Sequence, residues 1–150
     1  MLKKALILTA LTSLTACVTT EPVKIAPYDL PINASKSKLF NSAVDCTLEH
    51  ISAPTGSGQF FDYQDKESGR LSVAFRSSYT LGLSAVPLKS TMSFNINDGN
   101  VNIRFSPLMQ YFDSVGWTNV YQESDGTTSD AEIEIVKVKQ VISECIKNSL

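Results

Sequence analysis

Chemistry needs side chains that carry protons, metals or covalent bonds, and this chain has few of them: one histidine, His50, the cysteines Cys46 and Cys145 in the body of the chain, and scattered carboxylates. A metal centre asks for clustered His, Cys or carboxylates at ligand spacing. His50, at the end of a helical segment, reads instead as a solvated or hydrogen-bonded side chain, so neither metal nor cofactor is expected. Nucleophilic catalysis of the Ser-His-Asp or Cys-His kind would have to use that same His50. Neither a Gly-x-Ser-x-Gly elbow nor a phosphate-cradling glycine loop occurs. Carboxylate pairs such as Asp62 with Asp65 and Glu132 with Glu134 lie in turn and polar-helix contexts and read as solvated charge rather than as an acid and a base. The residues therefore predict a protein that is not an enzyme.

Cys46 and Cys145 admit two readings. In an oxidising compartment an even pair in one small domain is a candidate disulfide, and the alternative is two free cysteines packed as small apolar groups. Parallel packing of two helices on one sheet face could bring the two cysteines together, and a bond then demands Cα atoms about 4.4–6.8 Å apart.

Cys17 belongs to different chemistry. The run MLKKALILTALTSLTAC places Lys3 and Lys4 before an apolar stretch, Ala5 to Leu14, that is too short for a bilayer span of roughly 20 residues. It ends in Leu14-Thr15-Ala16-Cys17, which resembles the bacterial lipobox, and an ordinary secretory cleavage near Thr15-Ala16 is the alternative. The resemblance implies cleavage before Cys17, lipid on its sulfur and a membrane partner through that lipid, each buried methylene adding about 0.8 kcal/mol of affinity. In a Gram-negative host Val18, which is not the aspartate of inner-membrane retention, implies the periplasmic side of the outer membrane. Loss of residues 1–16 leaves 11 basic against 15 acidic residues, so no nucleic-acid partner is expected.

The elements that must position these residues follow from hydropathy patterning. Residues 17–34 hold Pro22, Pro27 and Pro31 and read as a tether, with a short edge strand over Val23–Tyr28 as the alternative. Residues 35–150 read as one domain. Leu39, Phe40, Ala43, Val44, Thr47, Leu48 and Ile51 recur at helical spacing behind Ser35, a candidate N-cap, up to Pro54 and Gly56-Ser57-Gly58. Phe61 and Tyr63, then Leu71, Val73 and Phe75, alternate around Asp65-Lys66-Glu67-Ser68-Gly69 as a first hairpin. Met92, Phe94 and Ile96 alternate into Asn97-Asp98-Gly99-Asn100, and Val101, Ile103 and Phe105 alternate out, which predicts a second hairpin on a type I′ turn. Residues 77–87 read as an apolar loop and 108–121, with Tyr111, Phe112, Trp117 and Tyr121, as core aromatics near a sheet edge. Ser129 with Glu132 is a capping-box pattern ahead of Ala131, Ile135, Val138, Val141, Ile142, Cys145 and Ile146, a helical stripe whose Glu132–Ile135 start also suits a strand. The predicted fold is α+β, a four-stranded antiparallel sheet of two hairpins with an N-terminal and a C-terminal helix on one face.

The helix that begins SKLFNSA, the strand after it, the Asp65–Gly69 turn and the next strand resemble bacterial lipoproteins whose domain of unknown function has a TATA-binding-protein-like fold. The resemblance spans roughly residues 35–110. It implies a fold and an address, and it supplies no catalytic residues. Together these readings point to an envelope lipoprotein that binds a protein or other envelope component without catalysis. The alternative is a carrier or sensor of a small apolar ligand held between helices and sheet, which an apolar cavity beneath Phe40, Phe75 and Phe94 would favour.

Overall fold

A computed structural model describes residues 21–52, 59–123 and 127–150. Cys17, the segment expected as a leader, the first residues of the segment expected as a tether, Pro54 and the Gly56–Gly58 run lie outside them. Two helices, α1 (Lys36–His50) and α2 (Asp130–Asn148), pack against an antiparallel sheet of β1 (Tyr28–Pro31), β2 (Tyr63–Asp65), β3 (Arg70–Leu81), β4 (Ser84–Asn97), β5 (Asn100–Phe105), β6 (Met109–Phe112) and β7 (Gly116–Asn119). The order is β1-β5-β4-β3-β2, with β6 on β4 and β7 on β6.

The α+β class and the antiparallel sheet hold, but the sheet has seven strands rather than four. Both expected hairpins are present. Residues 77–87 are no loop: β3 and β4 pair without interruption from Arg70↔Asn95 to Leu81↔Ser84, closed by Gly82-Leu83. Gly82 has φ +62 at the first central position, the sign of a type II′ hairpin turn. Pro87 is tolerated because Leu81↔Ser84 closes the two-residue turn. Bonded and non-bonded pairs alternate from there, so at Ser78↔Pro87 the missing N–H would point away from β3. Residues 108–121 form the edge hairpin β6–β7 rather than core. Leu108 and Val120 are buried while Tyr111 and Tyr121 are exposed. The segment expected as a tether carries β1, paired with β5 from Tyr28↔Ile103 to Pro31↔Asn100, and Val23 and Leu30 are buried. Pro31 fits there because β1 is an edge strand.

α1 ends where expected, with Ser35 at its N-cap, but the Ser35 side chain makes no capping bond. Asp98 caps in its place: its Oδ1 accepts the Lys36 amide at 2.7 Å, while Gly99 bonds through its carbonyl to Ile32 and through its amide to Ala34. Those contacts decide the β4–β5 turn. Gly99 has φ +78 and, among the described residues, no non-glycine residue has positive φ, so Asp98 breaks the type I′ expectation and the sign pattern is that of type II. In α2 the helical reading of Glu132–Ile135 holds, and the Ser129 side chain accepts the Glu132 amide as a capping residue should.

Inward-facing Leu71, Val73 and Phe75 of β3, Leu88, Met92, Phe94 and Ile96 of β4, and Val101 and Ile103 of β5 join Leu39, Phe40 and Ala43 of α1 and Ile135, Ile142 and Ile146 of α2 in one buried cluster. Leu48 and Val141, assigned to the helical stripes, are exposed, and Ser42 and Ser143 take buried places instead. These serines are satisfied: Ser143 donates to the Lys139 carbonyl at 2.7 Å, and Ser42 bonds the Ile146 carbonyl and the Ser149 hydroxyl.

Candidate functional site

The residues singled out by chemistry do not converge on one point. Cys46 and Cys145 form a disulfide with Cα atoms 5.8 Å apart, joining α1 to α2. The helices meet in the sense opposite to the parallel packing expected. Ser42 lies by Ile146 and Ser149, and four residues on Cys46 lies by Cys145, so the chains run antiparallel at the contact. Glu49, His50 and Cys145 bring ligand-type atoms within 4.8 Å of one another. The Cys145 sulfur is already bonded to Cys46, and a metal needs the thiolate. Asp65 is spent on its own turn. Its Oδ1 accepts the amides of Glu67 and Ser68, and bonds from Ser68 hold its carboxyl below the ordinary aspartate range. Glu134 accepts from Ser77 at 2.8 Å and lies 3.7 Å from Lys137, on a different element from the Asp62–Asp65 pair.

What the fold does assemble is the sheet face turned away from the helices. Because strand side chains alternate, the neighbours of the core residues all point there. Arg70, Ser72, Ala74 and Arg76 come from β3, Lys89, Thr91, Ser93 and Asn95 from β4, Asn102 and Arg104 from β5, and Tyr63 from β2. All three arginines of the chain, Arg70, Arg76 and Arg104, stand on this face. Two shallow depressions mark it. One of about 520 Å³ has Tyr63, Arg70 and Arg104 around a floor of Ser72, Ser93 and Asn95. The other, about 320 Å³, lies among Arg76, Lys89, Thr91 and Met109. Arg76 and Lys89 are directly opposed across β3 and β4, a like-charge pairing that is unfavourable in itself. Trp117 stands beside both, with the Lys89 ammonium 4.3 Å and the Arg76 guanidinium carbon 6.0 Å from its ring centre. Tyr111 packs on the same indole at 5.4 Å.

The acids at the rim of this face are engaged locally. Asp29 on β1 accepts from Asn102 at 2.8 Å and Asn100 at 3.2 Å; these bonds and, to a smaller degree, the charge of Arg104 hold its carboxyl below the usual range. Arg104 is itself oriented by an Nε bond to Asn102 at 2.8 Å. On the opposite face, burial pushes the Tyr79 phenol up, and its hydroxyl donates to Gln110 at 2.6 Å. The arginine face went unassigned in the sequence reading, although the signal was there. Once Leu71, Val73 and Phe75 point inward, Arg70 and Arg76 must point out, and Ile103 does the same for Arg104.

No family model and no curated protein matches this sequence. Solved structures do. A DUF4468 family protein from Bacteroides ovatus superposes with a TM-score of 0.61 at 9% identity, over 87% of this chain and 89% of its own. A TBP-like protein from Parabacteroides distasonis gives 0.60 at 13% identity, over 82% and 92%. The domain has a TBP-like fold. At such identities the likeness speaks for the fold alone, and the TBP-like part of the resemblance seen in SKLFNSA and the Asp65–Gly69 turn holds.

Proposed function

We propose that this protein is a membrane-anchored envelope lipoprotein whose exposed sheet face binds an anionic envelope glycan without catalysis. The observation that carries the ligand reading is the gathering of all three arginines, with Lys89, Tyr63 and Trp117, on the one sheet face the helices leave uncovered. Guanidinium forks suit carboxylate and phosphate oxygens, and lysine does not substitute for that geometry. The Ser72, Ser93 and Asn95 floor supplies hydroxyl and amide partners for sugar hydroxyls, and the face of Tyr63 suits the apolar face of a sugar ring. The anchor rests on Leu14-Thr15-Ala16-Cys17 behind its short apolar run.

The carrier reading called for a cavity beneath Phe40, Phe75 and Phe94. Those three rings are buried in one continuous cluster, and the two depressions described above lie on the opposite face, which supports the surface binder. One experiment with two readouts tests the reading. Cys17→Ser should abolish palmitate labelling and release the protein from membranes. Arg70→Ala with Arg104→Ala should leave labelling intact but reduce co-sedimentation with isolated envelope polysaccharide at least tenfold, and salt should weaken the parent's binding. Palmitate entering the Cys17→Ser protein, or retention that ignores both arginines and salt, would refute the corresponding half.

A further inference from the structure

We infer that the Leu81-Gly82-Leu83 apex is a second membrane contact, inserted into the bilayer that holds the lipid on Cys17. The inference rests on the anchor proposed above.

The apex is built to present leucine. Leu83 is 106% exposed and Leu81 53%, and a Cβ placed on Gly82 would meet nothing within 4 Å. Residues 77–87 contain no charged side chain. A tight turn fixes the backbone, so the two leucines are offered with little left to order on insertion. A second apolar side chain stands toward the same end of the sheet: the β6–β7 turn, closed by Phe112↔Gly116 beyond the Leu88↔Gln110 pairing of β4 with β6, carries Val115, 66% exposed, two residues from the exposed Asp113.

Behind these tips the side chains change in the order a bilayer surface demands. Tyr111 and Trp117 come next along the strands. Aliphatic tips in the acyl boundary backed by aromatic rings at the interface are the layering of interfacial proteins.

The anchor is within reach of the apex. Pro22 bridges to Tyr121, and the Val23 amide bonds the Val120 carbonyl at 2.8 Å. Tyr121, Val120 and Phe112 line one groove together with Leu81. Cys17 stands five residues before Pro22, a span of at most about 18 Å. A bilayer that takes the lipid of Cys17 can therefore also take Leu81 and Leu83. Arg70 pairs with Asn95 eleven residues from Leu81, about 36 Å along β3, so an apex-down domain holds the Arg70–Arg104 basin clear of the membrane.

The test uses the full lipidated protein in phosphatidylethanolamine–phosphatidylglycerol vesicles, with a nitrobenzoxadiazole probe on Leu83→Cys and, as control, on Lys137→Cys of α2. The inference expects a blue-shifted probe at position 83, quenched at least threefold more by doxyl lipid than the probe at 137. Equal quenching by aqueous iodide at 83 and 137 in a protein that carries palmitate would overturn the apex contact and leave the anchor standing. Absence of palmitate would overturn the anchor, and the apex contact with it. Leu81→Ser with Leu83→Ser removes two side chains that lie outside the buried core. It should keep palmitate and thermal stability while returning a probe on Val115→Cys to its aqueous emission; an unchanged emission would also count against the inference.

Discussion

The same strands carry two chemistries. On the inner face of β3, β4 and β5 stand Leu71, Val73, Phe94 and Ile103, sealed beneath two helices that a disulfide ties together; on the outer face, one residue away, stand Arg70, Ser72, Asn95 and Arg104, covered by neither helix. Hydrophobic burial contributes about 25 cal/mol per Å², so the inner face supplies stability. The outer face supplies little, and its Arg76↔Lys89 opposition works against the fold. Side chains free of the core are free to meet a ligand, which is why the two faces should separate cleanly under mutation.

The largest expected effect is on the sealed side. Replacing both Cys46 and Cys145 with serine opens a 99-residue loop, for which the chain-entropy model gives a loss on the order of 4–5 kcal/mol. Denaturant titration of oxidised and reduced protein measures it, and thiol counting under non-reducing denaturation should find no free Cys46 or Cys145 until a reductant is added. Next comes Gly69→Ala. A Cβ there would stand 2.1 Å from the Ile96 carbonyl oxygen, and the Gly69 carbonyl accepts the Ile96 amide, so backbone must shift. A loss above about 2 kcal/mol is expected, since strain at a positive-φ glycine adds to the clash. Ser129→Ala removes the α2 cap and should cost about 1 kcal/mol, read as a lowered Tm. The smallest stability effect belongs to the open face. Arg70→Ala with Arg104→Ala should change unfolding free energy by less than about 0.5 kcal/mol while reducing glycan binding, and a large loss of stability would blur the distinction between the faces.

Much of this division could be read in the chain before folding. Period-two runs around Leu71–Phe75 and Met92–Ile96 already separate inward from outward residues, and both helical stripes lie close to where they form. What escaped were features set by tertiary partners. Pro87 looked like a strand breaker until the pairing put its missing N–H at an edge, and β1 is only four residues, flanked by Pro27 and ended by Pro31. Asp98 looked like a type I′ residue because nothing local revealed that its carboxylate would cap α1 at Lys36, 62 residues away. The basin was hidden for a related reason. Arg70 and Arg104 are 34 positions apart in the chain, and only the pairing of β3 and β5 to the two edges of β4 brings them around one floor.

Photocrosslinking in the native envelope tests directly whether the outer face is the working one. A photoreactive residue at Asn95, exposed beside Arg70, is compared with one at Gln140, exposed on α2. A glycan adduct is expected from position 95 that disappears in the Arg70→Ala, Arg104→Ala protein, and none from position 140. Adducts of equal yield at both positions, or from 140 alone, would contradict that role for the outer face.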